Sequence, residues 1–284
     1  MSADTPFDRT LRRLRRDRAT RRFGEADYLH RLAADELLER LDWVKREFRE
    51  ALILGAPDDY AAGKLRERGL AVTSADPGRL FGRQADVQCD EDRLPFADNQ
   101  FDLIFSVGTL DSVNDLPGAL ALIRRTLRPD GLFLAALTGA GSLPRLRSAM
   151  LAADSLEGAA SPHIHPQIDV RAAGDLLIRA GFALPVADAH GVTVRYSGLP
   201  RLVADLRAMG ATNILASRSR SPIGRLGYAA AIADFADAAE PDGKTPERFE
   251  ILHLIGWAPA PNQPQPARRG SGMQSLAAAL RRRG

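Results

Sequence analysis

The stretch that decides the fold runs from Cys89 to Leu137 and reads CDEDRLPFADNQFDLIFSVGTLDSVNDLPGALALIRRTLRPDGLFLAAL. Its apolar run over Phe101–Ser106 predicts a strand covered on both faces. Apolar residues from Leu116 to Leu127 recur at helical spacing, with arginines on the other side, which predicts an amphipathic helix. Pro129-Asp130-Gly131 predicts a tight turn that ends this helix, and Leu132–Leu137 predicts a second buried strand. A strand, helix and strand in this order predict a parallel sheet with a right-handed crossover.

Strands and helices alternate on both sides of this unit, which predicts an α/β fold with helices on both faces of a mainly parallel seven-stranded sheet. The last two strands are expected to form an antiparallel edge pair. The further predicted strands are Ala51–Gly55, Ala71–Ala75, Asp86–Cys89, Ala183–Ala189 and Ile251–Trp257. The further predicted helices are Tyr28–Phe48, Tyr60–Arg68, Val170–Ala180, Leu199–Met209, Ile223–Ala239 and Met273–Arg283.

The chain divides into three predicted regions. Residues 1–27 are a basic segment, residues 28–257 form the folded domain, and residues 258–284 form a basic tail rich in proline. Within the domain, a small helical insertion at about 199–239 is expected to lie over the cleft at the edge of the sheet. The sequence contains no internal repeats.

Composition indicates a soluble globular protein, since 45% of the 284 residues are hydrophobic and 26% are charged. No apolar run approaches the ~18 residues of a membrane span, and no signal peptide precedes the first charges. The single cysteine, Cys89, excludes an internal disulfide and fits the reducing cytoplasm of a bacterium. Five scattered histidines and one cysteine give no metal-ligand spacing, so no metal is expected.

Arginines crowd the N-terminus, where eight lie between Arg9 and Arg22. A cluster of this kind is compatible with nucleic acid, an anionic membrane surface, an organelle presequence or a protein-docking face. No nucleic-acid recognition motif accompanies it, so no nucleic-acid partner is expected. A solvated face or a protein-docking face is the preferred interpretation, and peripheral membrane contact through the basic termini stays open.

Three short motifs indicate the family. Asp90–Phe96, Phe101-Asp102 and Leu127–Gly131, in this order and spacing, resemble the class I S-adenosylmethionine-dependent methyltransferases. The resemblance implies a Rossmann-like fold, a transferase activity and S-adenosylmethionine as cofactor. In that family the segment matching Asp90-Glu91 closes over the adenine, where a carboxylate accepts a hydrogen bond from the exocyclic amine.

The cofactor site follows from this fold. In an open parallel sheet the ligand lies outside the carboxyl ends of the strands, near the point where the strand order reverses. Asp76, at the end of the second strand, is placed to accept hydrogen bonds from both ribose hydroxyls. The predicted cofactor-binding residues are Gly55, Ala56, Asp76, Asp90, Glu91 and Ser106.

The first loop departs from the family pattern, which has an acidic residue followed by Gly-x-Gly-x-Gly. Only Gly55 is kept, while Ile53 replaces the acid and Pro57 and Asp59 replace the other two glycines. Proline removes a backbone donor and fixes φ, and isoleucine cannot hold an amino group. Compensation by Asp58 or Asp59, closure by the basic N-terminal segment, and weak or lost cofactor binding are all open. In the second of these, the arginines would bind the methionine carboxylate of the cofactor.

Segments spread from Phe7 to Trp257 indicate a branch of the family. They resemble the methyltransferase-fold assembly factor of mitochondrial complex I and its alphaproteobacterial relatives, and more distantly the malonyl carrier-protein O-methyltransferase of biotin synthesis. The resemblance implies action on an arginine of an iron–sulfur subunit of complex I. A conventional O-methyltransferase of a small or carrier-bound acid and a non-catalytic scaffold are the alternatives. These segments are Phe7–Arg9, Arg16–Ala19, Val113–Pro117, Ser161–Ile164, Leu177–Phe182, Asp205–Asn213 and Ile255–Trp257.

Candidate substrate contacts are fewer. Family members carry His-Trp before Val-Asn-Asp, and here Asp111 and Ser112 take those positions at the mouth of the cleft. His165 is a candidate for a lid over the pocket, and Tyr196 and Arg207 are candidates in or near the inserted helices. No arrangement of Ser, His and Asp or of Cys and His suggests covalent catalysis, so no catalytic residue is assigned.

Overall fold

One mixed sheet organises the chain, which the computed structural model describes over residues 5–80, 85–158, 160–261 and 263. Its seven strands have the order β3-β2-β1-β4-β5-β7-β6. The four pairings from β3 to β5 are parallel, and those of β5 with β7 and β7 with β6 are antiparallel. The strands are β1 Glu50–Leu54, β2 Ala71–Asp76, β3 Val87–Gln88, β4 Phe101–Val107, β5 Leu127–Thr138, β6 Ala183–Tyr196 and β7 Thr245–Trp257.

β4 lies at the centre of the sheet, and all of its residues are buried. It pairs with β1 through Ala51 opposite Leu103, and with β5 through Leu103 opposite Leu132. At its start, the Asp102 carboxylate accepts hydrogen bonds from the backbone N–H groups of Arg49 and Glu50, which fixes the first residue of β1. The apolar run that predicted a doubly covered strand is therefore the middle of the core.

Helices cover both faces of the sheet. One core cluster contains Leu37 and Leu65 against Phe105, and the other contains Leu120 and Leu177 against Phe133. The eight α-helices of the described residues are α1 Arg9–Ala19, α2 Tyr28–Asp42, α3 Tyr60–Glu67, α4 Leu116–Thr126, α5 Pro144–Glu157, α6 Val170–Arg179, α7 Leu199–Ala208 and α8 Arg225–Asp237. No helix in these ranges is both long enough and apolar enough to cross a bilayer.

A third apolar cluster joins α5, α7 and α8 to the ends of β6 and β7. Leu202 of α7 and Phe235 of α8 pack there with Ala149 of α5. α7 faces the carboxyl ends of the strands, since Val203 and Leu206 line the same cavity as Gly108. These helices therefore form one wall of a cleft above the sheet.

The predicted fold class and all seven strands are confirmed, but several predicted boundaries were wrong. β5 starts at Leu127, so Pro129-Asp130-Gly131 is a kink within the strand, where Asp130 has a φ of +62° and the register with β4 shifts. β6 and β7 are much longer than predicted because they continue to pair with each other beyond the end of β5, from Gly191 opposite Glu250 to Tyr196 opposite Thr245. α5 was missed altogether, although Leu146, Ala149 and Ala153 mark its buried face.

Other differences are smaller. α2 ends at Asp42, well before the predicted Phe48. The predicted helix Met273–Arg283 and the tail after residue 263 lie outside the described residues. The predicted boundaries of the three regions and of the insertion stay predictions.

We expect the substitution Phe133→Ala to lower the free energy of unfolding by about 3–5 kcal/mol, because it empties a fully buried site. The Phe133 ring stacks on Phe182, with the ring centroids 5.3 Å apart, so the cavity would lie between the sheet and α6. Urea unfolding followed by circular dichroism measures the change. Leu226→Ala is the control, since Leu226 is 76% exposed and its loss should change stability by less than about 0.5 kcal/mol. Equal effects of the two substitutions would contradict this packing.

Candidate active site

The carboxyl ends of β1, β2 and β4 meet where the strand order reverses, as predicted. Gly55 follows β1, Asp76 ends β2 and Ser106 lies near the end of β4. Asp90 and Glu91 follow β3, and Asp76 and Glu91 are 0% and 1% exposed. The structure therefore brings the predicted cofactor residues to one edge of the sheet.

α1 lies over this edge. It begins at Asp8, whose carboxylate caps the helix by accepting a hydrogen bond from the Leu11 N–H. Four arginines spaced three or four residues apart share one face of α1, and this face points at the carboxylates. They are Arg9, Arg12, Arg13 and Arg16.

Asp76 is bound by Arg16 in a two-pronged ion pair. Arg16 Nε lies 3.0 Å from Asp76 Oδ1, and Arg16 Nη2 lies 2.5 Å from Oδ2. The backbone N–H of Gly78 donates to Oδ1 over 2.7 Å, and that of Ala56 donates to Oδ2 over 3.0 Å. A carboxylate offers about four lone-pair positions, so Asp76 has no acceptor position left.

Glu91 is bound by Arg12 in the same way. Arg12 Nη1 lies 2.6 Å from Oε2, and Nη2 lies 3.0 Å from Oε1, which also accepts a hydrogen bond from the Thr109 hydroxyl. The other Arg12 contacts are with the Thr109 carbonyl and hydroxyl oxygens and the Ser112 hydroxyl. Burial acts to raise the pKa of Glu91, but Arg12 and these hydrogen bonds hold it below its usual value.

The other two arginines of α1, Arg13 and Arg9, bind the neighbouring carboxylates of Asp90 and Asp92. Arg13 Nη2 lies 2.6 Å from Asp90 Oδ2, and Arg9 binds both oxygens of Asp92. Asp90 Oδ1 and Ser106 Oγ are buried and have no hydrogen-bond partner among the described residues. These two polar atoms are positioned for a ligand or a water molecule.

The loop that follows β1 leaves little space for a ligand. Gly55 has a φ of +80°, and a Cβ there would lie 2.8 Å from Thr109 Cβ, so only glycine fits. Asp58 and Asp59 are bound by Arg31 and Arg66, respectively. The space left beside Gly55 is a cavity of about 20 Å³, far below the ~300–1,000 Å³ of a typical ligand pocket.

A larger cavity of about 310 Å³ lies on the other side of the α1 arginines. Its floor is formed by Gly108 and Thr138, at the ends of β4 and β5. α7 and the apolar side chains of α5 supply much of the wall, and Asp111 and His165 line it as well. This cavity is on the side of the edge where the sequence placed substrate.

His30 separates the two spaces. Its Nε2 would lie only 2.6 Å from a Cβ at Gly108, so the ring needs glycine there, and it packs edge-on against Phe23. Burial, together with the nearby charge of Arg16, lowers the pKa of His30 to about 4. His30 is therefore neutral at physiological pH.

Asp111 lines the large cavity together with His30 and His165, whose imidazole rings are neutral. Its carboxylate has no hydrogen-bond or ion-pair partner within the part of the chain that the structure describes. The His165 Nε2 accepts a hydrogen bond from the Ile214 N–H over 3.1 Å, which leaves the proton on Nδ1. Burial also lowers the pKa of His165. The cavity thus holds one uncompensated negative charge.

Tyr196 and Arg207 are placed away from this cavity. The Tyr196 hydroxyl lies 2.6 Å from that of Tyr28, and its side chain belongs to the buried cluster of α5, α7 and α8. Arg207 is exposed on α7, near Arg15. Their role in substrate binding stays a prediction. Within the described residues no group of three or more potential metal ligands occurs.

The chain matches known proteins along most of its length. Residues 54–135 match the methyltransferase domain model. The mitochondrial arginine hydroxylase NDUFAF5 of Danio rerio is 35% identical over 95% of this chain and 88% of its own length. The chain belongs to the methyltransferase family that contains these arginine hydroxylases. The malonyl-[acyl-carrier protein] O-methyltransferase of Laribacter hongkongensis is 32% identical over 86% of this chain and 87% of its own length.

The solved structures agree on the fold. A proposed methyltransferase from Bacillus halodurans superposes with a TM-score of 0.52, at 14% identity, over 80% of this chain and 99% of that protein. Family membership supports a transferase that uses S-adenosylmethionine as its cofactor, while the NDUFAF5 relatives are named arginine hydroxylases.

The residues present fit this cofactor only in part. Asp76 and Glu91 offer carboxylates of the kind predicted for the ribose and the adenine, and Asp90 Oδ1 and Ser106 Oγ lack hydrogen-bond partners among the described residues. The fit fails at the loop after β1 and wherever the arginines of α1 occupy the carboxylates. The assignment of these residues to the cofactor stays a prediction, and α1 fills this predicted nucleoside site in this structure.

Sequence reasoning missed Thr109 and His30, and it grouped Arg12 and Arg16 with the other N-terminal arginines without finding their carboxylate partners. The arginine spacing of three and four residues, starting just after a capping Asp8, was the available signal for α1. No local signal assigned those arginines to carboxylates 60 and 79 residues away. Cys89 lies beside these acids, and burial with their charge raises its pKa to about 12, so the thiol stays protonated.

We expect the His30 ring to titrate with a midpoint near pH 4 in the folded protein, well below the ordinary value of about 6.5. The unfolded chain takes up this proton first as the pH falls, so the contribution of His30 to stability is complete above pH 6.5 and is lost towards pH 4. NMR of the imidazole protons measures the midpoint. His30→Asn, the control, should lose less stability between pH 6.5 and 4. A His30 midpoint above 6 would contradict the buried position.

Proposed function

We propose that the protein acts in respiratory complex I assembly by binding an arginine-bearing segment of an iron–sulfur subunit. The 35% identity to NDUFAF5 arginine hydroxylases over 95% of the chain supports this assignment. The single observation that carries it is the unpaired Asp111 carboxylate in the large cavity, because this charge matches the guanidinium of an incoming arginine.

Four of the seven segments that resemble the assembly-factor branch meet at the rim of this cavity. The Phe7 N–H donates to Asn114 Oδ1, and Asn114 Nδ2 donates back to the Phe7 carbonyl. Asn213 Nδ2 donates to the Pro162 carbonyl over 2.7 Å, and the Phe7 ring packs edge-on against His165. Segments scattered over 200 residues of sequence thus build one rim, which supports a shared use of this surface.

An open groove continues outward from the rim. Its lining includes Pro6, Asn114, Arg147, Pro166 and Leu215. The large cavity and the groove share Ile164, His165, Pro166 and Gln167. A partner backbone in the groove would lie next to the cavity, which suits a peptide better than a free metabolite.

The charge in the cavity favours an arginine over a carboxylic acid. Guanidinium binds carboxylate in a planar, two-pronged pair, and the stem of the arginine can pack on apolar walls such as Leu146, Met150 and Ile251. Neutral His30 and His165 add no repulsion, and Arg12 and Arg16, which also line the cavity, are paired with Glu91 and Asp76. The acid substrate of a carrier-protein methyltransferase would instead face a like charge at Asp111.

S-adenosylmethionine, when bound, would be held by Asp76, Asp90 and Glu91 and would supply a methyl group on sulfonium. The chain's own contribution is to position the arginine at Asp111 and to exclude water from an apolar cavity. The non-catalytic scaffold is the second candidate, and the pairing of α1 with the cofactor carboxylates is the observation that favours it. Both candidates require the same protein partner.

Affinity purification of the full chain from its native cell should recover an iron–sulfur subunit of complex I. Recovery of acyl carrier protein without respiratory subunits would overturn the proposal in favour of the O-methyltransferase. Mass spectrometry of the eluate separates these outcomes.

The substitution Asp111→Asn should weaken binding of the recovered subunit at least tenfold, equivalent to about 1.4 kcal/mol, because it removes the charge that pairs with guanidinium. Calorimetry with the purified subunit measures this. Asp98→Asn is the matched control, since Asp98 pairs with Arg125 on the surface and is no part of the cavity. Equal affinities of the wild type and Asp111→Asn would contradict the proposed anchor.

A further inference from the structure

We propose that α1 and S-adenosylmethionine are mutually exclusive occupants of the nucleoside site, so that α1 is an intramolecular competitor that must leave before the cofactor binds. This goes beyond the proposed function and does not depend on the identity of the partner. It also reverses the expectation from the sequence that the arginines would close over a bound cofactor.

The first reason is that Asp76 is saturated. Its two oxygens accept from Arg16 Nε, Arg16 Nη2, Ala56 N and Gly78 N, at 2.5–3.0 Å. A ribose diol would bring two more donors to the same carboxylate. Hydroxyls can bind there only if the Arg16 guanidinium withdraws.

The second reason is that Arg12 seals the adenine side. Arg12 and Arg16 are 4% and 6% exposed, so their guanidinium groups lie in the site, not on its rim. Arg12 joins Glu91 to Thr109 and Ser112, which closes the gap between the acid loop and the end of β4. A cap that rests on a bound cofactor would point its arginines at the ligand, whereas these arginines neutralise the protein's own acids.

The third reason is that few apolar contacts hold α1 against the rest of the protein. The buried side chains of this helix are two arginines and Ala19, and Leu14 is exposed. Among the described residues, apolar anchorage comes from Phe7 before the helix, from the partly buried Leu11 within it, and from Ala19 and Phe23 at and beyond its end. Elements with few buried apolar contacts open at low free-energy cost, and here the ion pairs carry most of the attachment.

Calorimetry with S-adenosylhomocysteine on the full chain tests the competition. The double substitution Arg12→Gln/Arg16→Gln should tighten binding of S-adenosylhomocysteine at least tenfold. It removes the ion pairs that hold α1 in the site, so a larger fraction of the protein is able to bind the ligand. Arg18→Gln/Arg21→Gln is the matched control, with the same loss of charge at two exposed positions, and should stay within twofold of the wild type. Circular dichroism checks that both variants are folded. Weaker or unchanged binding by Arg12→Gln/Arg16→Gln overturns the proposal.

Proteolysis of the unmodified chain gives an independent test. A bound ligand should change the cleavage rate in one direction if α1 competes with the cofactor, and in the opposite direction if α1 is a lid on it. Trypsin cleaves after the arginines of α1, so its rate there reports release of the helix. If α1 competes with the cofactor, saturating S-adenosylhomocysteine should accelerate cleavage between Arg9 and Arg18 several-fold. If α1 is a lid on bound cofactor, the same ligand should slow cleavage. Slower or unchanged cleavage at saturation overturns the proposal.

Discussion

The buried ion pairs between α1 and the carboxylates at the edge of the sheet are the interaction on which the rest of the site depends. Asp76 and Glu91 are almost completely shielded from water, and an uncompensated buried charge is strongly destabilising. Arg16 and Arg12 supply the compensation with two-pronged geometry. The position of α1, the closure of the first loop and the shape of the remaining cavity all follow from these pairs.

The ion pairs of α1 divide the edge of the sheet into a half that the arginines fill and a half that contains the large cavity. On the filled side, Pro57 and Asp59 stand where the family has glycine, and little space remains beside Gly55. On the open side, a cavity with apolar walls keeps the single unpaired charge of Asp111. His30 stands between the halves and depends on the missing Cβ of Gly108. The predicted cofactor residues and the large cavity are thus separated by one neutral ring, that of His30.

The fold could be read from the sequence because its signals are local. The apolar run of β4, the helical spacing of α4 and the capping and turn residues between them each constrain a few neighbouring residues. Asp76, Asp90 and Glu91 could also be placed, since the topology of a parallel sheet brings strand ends together. The family motifs then added the identity of the ligand.

The pairing of α1 could not be read in the same way. The arginine face of α1 was visible as a spacing, but its partners lie on loops 60 to 83 residues further along the chain. Charge alone favoured a solvated face or a docking face, and it left a cap over the cofactor open. Tyr196 is the opposite case. The sequence suggested a substrate contact at this polar aromatic residue, whereas in the structure its hydroxyl group is hydrogen-bonded to that of Tyr28 in a buried cluster.

A double-mutant cycle on Arg16 and Asp76 tests the central claim most directly. Arg16→Gln, Asp76→Asn and the combined variant would be compared with the wild type by urea unfolding. If the pair is buried as described, each single change strands a charge and costs about 3–5 kcal/mol, while the double variant recovers part of that loss. The account predicts a coupling energy above about 2 kcal/mol. Effects that add within about 0.5 kcal/mol would show that the two side chains do not touch in solution, and would contradict it.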